Sequence, residues 1–400
     1  MTPAGCGEVV FLPGGSVRLE GHLELVPTTD GVRPVRIPVR HWRHFPPAGE
    51  ILRAVASAAS GVRLRAQTTA TRLTLRVRCT RIQIGDFVGA RNRFVAQIDG
   101  VTVATAEAPV DHTLCVWVTG EEATHVPSGD SSLVELAPLP VGVKTVTVFL
   151  PQGMIVDLLD VDGDTPVVAA APTGLPIWIH HGSSISQCVE AELPTSVWPV
   201  VSAAVTGLDV INLGFGGQCM LDPFVADSIA VTPADVISIK VGVNIVGARS
   251  MDQRTFVPAL HGFLDRIRRG HPDTPIVVVS AILWPGSDDL PGPSDVQFLA
   301  DGGIRCYTNG DPADVAKGAL TLADSRRHVE HAVDVRRNAG ENIGYLDGLA
   351  LYGPADVPHH PLPDSLHPDA DLYAEIGRRF ARLAFGEDGL VPRSMLGSNG

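Results

Sequence analysis

Two short segments far apart in the chain carry residue types that could do nucleophilic chemistry. The first, Ile177-Trp178-Ile179-His180-His181-Gly182-Ser183-Ser184-Ile185, is an apolar run that ends in small residues. A strand turning sharply into a helix there would expose a hydroxyl at the sheet edge, beside free backbone N–H groups and the positive end of the helix dipole. Alone the signal is weak, because Gly-Ser-Ser at a helix start is more often a plain N-cap. The second segment, Asp364-Ser365-Leu366-His367-Pro368, places a carboxylate three residues before an imidazole. On a turn the carboxylate can hold the imidazole Nδ1–H and leave the other ring nitrogen to take a proton from a serine. An Asp-x-x-His is also common as a structural turn. It is the combination of an exposed hydroxyl with an oriented base that points to nucleophilic chemistry.

Further segments fall in the same order and extend the pattern. Gly182-Ser183-Ser184-Ile185, Asn212-Leu213-Gly214-Phe215-Gly216-Gly217, Gly242-Val243-Asn244 and the Asp364/His367 pair resemble the sequence blocks of the SGNH (GDSL-type) hydrolases, over roughly residues 176–385. The resemblance implies that Ser184 is the nucleophile, His367 its base and Asp364 the residue that orients His367. It also implies an oxyanion hole of the Ser184 N–H, the Gly217 N–H and the Asn244 side-chain amide, with no metal and no organic cofactor. Two residues depart from the family pattern. Ser183 stands where the family has Asp, and Ile245 follows Asn244 where Asp is common. Neither moves a proton in this scheme. Ser183 stays open as a rival nucleophile, although the motif register favours Ser184, whose own N–H can join Gly217 and Asn244. Activity is expected to fall on acidification through the ordinary imidazole range, about pH 6–7.

Other candidates are weaker. His180-His181 and His359-His360 could be imagined as metal ligands, but adjacent strand residues point to opposite faces and no carboxylate or cysteine spacing completes a site. His181, His360 and Trp284 are instead candidates for lining a pocket. His328 and His331 fall in an Arg-rich helical stretch and read as a solvated face. Lys240, flanked by apolar residues, reads either as a satisfied buried charge or as pocket lining. The cysteines at 6, 79, 115, 188, 219 and 306 contain no C-x-x-C pair and read as small core residues.

The elements that must position these residues change character along the chain. Up to about residue 165, Val62, Leu64 and Ala66 alternate with Arg63, Arg65 and Gln67, and Leu73, Leu75, Val77 and Cys79 alternate with Thr74, Arg76 and Arg78. Val146, Val148 and Leu150 continue this period of two, and Asp99-Gly100 is a hairpin signal. An all-β, jelly-roll-like sandwich of antiparallel strands is expected for residues 1–165. Residues 166–176, rich in Pro and Ala, read as a connector. Beyond it, unbroken apolar runs at Ile177–Ile179, Val210–Leu213, Val236–Val241, Ile276–Leu283 and Ile343–Leu346 suit strands covered on both faces. Between and after them, Phe256, Leu260, Phe263, Leu264 and Ile267, then Leu372, Ile376, Phe380 and Leu383, have helical spacing, the second set opened by Pro368. Residues 177–389 are therefore expected to form a flavodoxin-like α/β parallel sheet with helices on both faces and its ligand at the carboxyl ends of the strands. Residues 284–314 read as a long loop. The tail 390–400 (LVPRSMLGSNG) resembles a protease-cleavable linker and is expected to lie outside the fold.

Composition narrows the function classes. With 31 basic and 44 acidic side chains the net charge is −13, which argues against nucleic acid as a partner. No apolar run reaches the length of a membrane span, and the start of the chain carries no export signal, so a cytoplasmic location is expected unless a leader has been removed. A sandwich preceding an SGNH domain resembles the arrangement in certain carbohydrate esterases, where Trp42, Phe45 and Trp117 could offer sugar-stacking faces, although such aromatics are usually core. The expected activity is a serine esterase acting on a short acyl ester, such as an acetyl ester, of a carbohydrate or small metabolite. An acyltransferase using the same site and, more distantly, a non-catalytic binding module on a dead hydrolase are the alternatives.

Overall fold

The computed structural model describes residues 7–47, 49–85, 87–88, 92–117, 122–299 and 303–397. Cys6, the N-terminal stretch read for an export signal, and the last three residues of the tail lie outside them. The chain divides into two compact units. One comprises Met1–Leu175, Gln187–Val200 and Asp209–Leu213; the other comprises Pro176–Ser186, Val201–Leu208 and Gly214–Gly400.

The first unit is a β-sandwich. One sheet has seven strands in the order Glu8–Leu12, Gly15–Glu20, Val167–Ala169, Arg63–Thr68, Lys144–Phe149, Arg93–Ile98 and Val101–Glu107. The other is built around the long strand Leu73–Ile84, which pairs with Met154–Gly163, Ser132–Leu136 and His112–Val116. Alternation decides what lies between the sheets. Val17, Leu64, Ala66, Val146 and Val148 of one sheet and Leu73, Leu75, Val77, Val156 and Leu158 of the other form a single apolar core. Asp99 and Gly100 both adopt positive φ (50° and 78°), as a two-residue hairpin between Ile98 and Val101 requires. Two features differ from the expected antiparallel pattern. His112–Val116 runs parallel to Leu73–Ile84, and Val167–Ala169, inside the expected connector, is a strand that pairs with both Gly15 and the Arg63–Thr68 strand. Three residues are too few to show alternation, so the surrounding Pro and Ala masked it.

In the second unit, strands Ile177–Gly182, Val236–Lys240, Ile276–Val279 and Ile343–Leu346 run parallel as neighbours in that order. The strand Ile177–Gly182 is buried along its whole length, and its side chains show what covers each face. Trp178 stacks on Phe380 of the helix Ala370–Phe385 at 5.3 Å between ring centroids. His181, on the opposite face, stacks on Phe263 of the helix Gln253–Gly270 at 5.7 Å. The absence of polar alternation in this strand follows from helices on both sides. No helix among the described residues is long and apolar enough to cross a membrane.

Three expectations are corrected in this unit. Pro368 does not open the last helix; Asp369 is the N-cap, its side chain accepting from the Leu372 N–H, and Pro368 precedes it. The stretch 284–314 is not a plain loop, because Ser294–Phe298 and Ile304–Thr308 pair as an antiparallel hairpin. The tail packs against the unit: Val391 and Leu396 are buried, and the Arg393 guanidinium donates to the carbonyls of Thr206, Gly207 and Leu396.

Candidate active site

Ser184 opens a single helical turn, Ser184–Gln187, directly after the strand that ends at Gly182. Gly182 is needed because the turn folds back onto the strand: a Cβ there would lie 2.2 Å from Ser186 Oγ. Ser186 Oγ is in turn hydrogen-bonded to His180 Nε2 at 2.8 Å, and His180 Nδ1 to Ser238 Oγ at 2.7 Å. Trp178 Nε1–H also donates to Ser238 Oγ. Burial holds the His180 imidazole well below its ordinary pKa, so this ring is a neutral support beneath the turn. Gly182→Ala should therefore displace the turn, lowering kcat at least about tenfold and stability by about 1–3 kcal/mol. Ester turnover and thermal melting of the purified variant would measure both effects.

The two serines of the motif have different partners. Ser183 is buried, and its Oγ accepts from the Ile185 N–H at 3.3 Å, as an N-cap does. Ser184 Oγ lies 2.8 Å from His367 Nε2. His367 Nδ1 is 2.6 Å from Asp364 Oδ2, while Asp364 Oδ1 accepts from the backbone N–H groups of Leu366 and His367 at 2.9 and 2.6 Å. Ser365, at φ 71°, bends this turn so that the imidazole returns over the carboxylate. With Nδ1–H given to Asp364, Nε2 is the acceptor and the Ser184 hydroxyl donates. Burial would push the Asp364 carboxyl up, but the hydrogen bond and charge of His367, with the two backbone donors, outweigh it and pull the carboxyl down to about 2.

Asn244 sits in the helical turn Val243–Gly247 at the carboxyl end of the neighbouring strand. Its Oδ1 accepts from the Cys219 N–H at 3.0 Å, which commits the carbonyl side of the amide and leaves the NH₂ as the free donor. Gly217, at φ 69°, lies two residues before Cys219 in a turn whose Phe215 N–H donates to the Gly182 carbonyl at 2.8 Å. Ser184, Asn244, Asp364 and His367 are partly exposed and Gly217 is exposed, whereas the groups supporting them are buried. The arrangement is chemically competent to deprotonate a serine hydroxyl.

The pocket-lining candidates differ in their exposure. His181 is fully buried between Phe215 and Phe263, with Nε2 3.5 Å from Cys219 Sγ, so it backs the Asn244 side of the site. Trp284 is 1% exposed. His360 is half-buried, and its carbonyl accepts from the Tyr352 hydroxyl. Lys240 is buried, whereas His331 is exposed and His328 half-exposed. Trp42 and Phe45 are not sandwich core: they sit half-exposed at and just after the short helix Val39–His44, with ring centroids 6.3 Å apart.

Cys219 and Cys306 were not legible as site residues. All five described cysteines are free thiols, and burial pushes the Cys219 thiol up to about 12. Cys306 Sγ lies 3.7 Å from Asp364 Oδ2. Cys306, Asp364 and His367 offer donor atoms within 4.8 Å of one another, the types that could hold a metal ion, but the carboxylate and imidazole already spend those atoms on each other.

Residues 176–284 match the model of the GDSL-like lipase/acylhydrolase family. This segment belongs to that family. The family match spans Ser184, Gly217 and Asn244, and it supports a hydrolase. Among solved structures, the chain is similar to a salicylyl-acyltransferase, SsfX3 from a tetracycline biosynthetic pathway, with 24% identity, TM-score 0.74, and 94% of this chain and 95% of the other covered. It is also similar to a family two carbohydrate esterase from Clostridium thermocellum in complex with cellohexaose, with 16% identity, TM-score 0.53, and 81% and 91% covered. A family two carbohydrate esterase from Cellvibrio japonicus gives 14% identity, TM-score 0.52, and 94% and 96% covered. These likenesses establish the fold. No curated protein matches the chain by sequence.

Proposed function

We propose that the protein is a serine esterase that removes a short acyl group, such as acetyl, from an oxygen of a carbohydrate or small metabolite. The observation that carries this reading is the continuous path Ser184 Oγ–His367 Nε2 at 2.8 Å and His367 Nδ1–Asp364 Oδ2 at 2.6 Å. His367 takes the proton of Ser184 as Oγ attacks the ester carbonyl, and Asp364 stabilises the imidazolium. The Ser184 N–H, the Gly217 N–H and the Asn244 amide receive the developing oxyanion. His367 returns the proton to the leaving alcohol, and the ester C–O bond breaks. Water, deprotonated by the same imidazole, then attacks the acyl-enzyme and frees Ser184. The carbohydrate side of the proposal is supported by the two carbohydrate esterases of the same fold.

A second reading is favoured by the salicylyl-acyltransferase. There a hydroxyl of an acceptor, rather than water, resolves the acyl-enzyme. A panel of p-nitrophenyl esters of increasing acyl length, beside acetylated sugars and with and without alcohol acceptors, separates the two. Free acid as the sole product supports the esterase, whereas a transferred ester that grows with acceptor concentration supports the transferase. Either way Asn244→Ala should lower kcat about 10²–10³-fold with KM little changed, since the amide acts on charge that exists only in the transition state. Steady-state kinetics on the preferred ester checks it.

A further inference from the structure

We infer that the hairpin of Ser294–Phe298 and Ile304–Thr308 is a strut of the catalytic centre, with Cys306 as a positioning residue for Asp364. This rests on the triad assignment proposed above. The hairpin grips the Asp364 turn at two points. The Cys306 N–H donates to the Asp364 carbonyl at 2.7 Å, and the Cys306 thiol points at Asp364 Oδ2 at 3.7 Å. That oxygen is the one that accepts from His367 Nδ1. The same hairpin is tied at its base to the opposite side of the site: Ser294 Oγ donates to the Gly247 carbonyl at 3.1 Å, the last residue of the turn that carries Asn244. Ser294 pairs with Thr308 and Val296 with Cys306, so one ladder joins the Asn244 turn to the Asp364 turn. Along Ile304–Thr308, Cys306 and Thr308 are buried while Arg305 is exposed, so register aims the thiol inward.

The thiol's role is to share Oδ2 with the imidazole. An S–H donor there fixes the carboxylate rotation and withdraws some of its charge from His367. Removing it by Cys306→Ala should lower kcat about 3–10-fold at unchanged KM, the size of one modest hydrogen bond. It should also move the acidic limb of the kcat/KM profile to higher pH, because an unshared carboxylate stabilises the imidazolium more. Cys306→Ser retains a donor and should recover both quantities. Covalent blocking of the same thiol gives a second arm. Methyl methanethiosulfonate transfers its CH₃S group to the Cys306 thiolate, forming a disulfide and releasing methanesulfinate. The added group would wedge against Asp364 and His367, so wild-type activity should fall more than about tenfold and return with dithiothreitol, while the alanine variant resists.

The test combines these arms, with mass spectrometry locating the modified cysteine. An alanine variant with wild-type kcat and wild-type acidic limb overturns the inference, as does a fully active enzyme carrying CH₃S on Cys306. A loss in the alanine variant that serine does not recover also counts against it. Should the alanine variant not fold, the reversible modification of wild-type protein decides. A serine-directed phosphonate is run in parallel. If it leaves the wild type active, the triad assignment itself fails; if it inactivates the wild type and both variants while the alanine variant keeps the wild-type profile, only the role of the hairpin fails.

Discussion

Ser184→Ala is expected to abolish ester turnover, lowering kcat by at least about 10⁴-fold, while the melting temperature barely changes. The hydroxyl of Ser184 is partly exposed and its partner is the imidazole at 2.8 Å, so its loss removes the nucleophile and a single hydrogen bond worth about 1 kcal/mol. Ser183→Ala should do the reverse. It deletes the oxygen that accepts from the Ile185 N–H, an N-cap contact worth about 0.5–2 kcal/mol, and should keep activity within a few fold. Steady-state kinetics and thermal melting of both variants, with mass spectrometry of the phosphonate adduct, decide between the serines. An inactive Ser183 variant beside an active Ser184 variant would place the nucleophile one residue earlier.

The parts of this fold that were legible in the sequence are those whose burial is one-sided or complete. Leu73, Leu75, Val77 and Cys79 could be read as one face of a strand because the opposite residues, Thr74, Arg76 and Arg78, are more exposed. Ile343–Leu346 coincides with the apolar run that announced it. What was missed had no such contrast. Residues 294–297 are exposed, so this strand presents no buried stripe to read. Arg393 is held by the carbonyls of Thr206 and Gly207, far away in sequence, and the local string resembles a linker.

The site divides in the same way. Ser184, Asp364 and His367 were read as candidates because their chemistry is written in types and spacing. Cys219 and Cys306 were not, because each acts through a backbone N–H as well as a thiol: one holds the Asn244 carbonyl, the other the Asp364 carbonyl. Any residue has a backbone N–H, so nothing in the side-chain string marks such a role. The buried chain Trp178–Ser238–His180–Ser186 is equally hidden, since Ser238 lies on a neighbouring strand and only the parallel register, His180 opposite Ser238, brings it into reach.

Asp364→Asn should lower kcat about 10³–10⁴-fold and shift the acidic limb of kcat/KM to lower pH. Asp364, held at about 2, is ionised throughout the working range, so the dyad gains or loses a proton only on the imidazole. The negative carboxylate at 2.6 Å favours the imidazolium. A neutral amide does not, so the ring resists protonation to a lower pH. The rate still collapses, because an amide NH₂ turned toward Nδ1 selects the tautomer with the proton on Nε2, which cannot accept from Ser184. Stability gives an independent check with the opposite reference. A carboxyl whose folded value lies below its ordinary 3.8 stabilises the fold when ionised, fully above pH 4, and this contribution disappears as pH falls toward about 2. Wild-type protein should therefore lose more melting temperature between pH 4 and about 2 than Asp364→Asn does. Parallel acid melts with an unshifted activity limb would show instead that Asp364 and His367 are not coupled in solution.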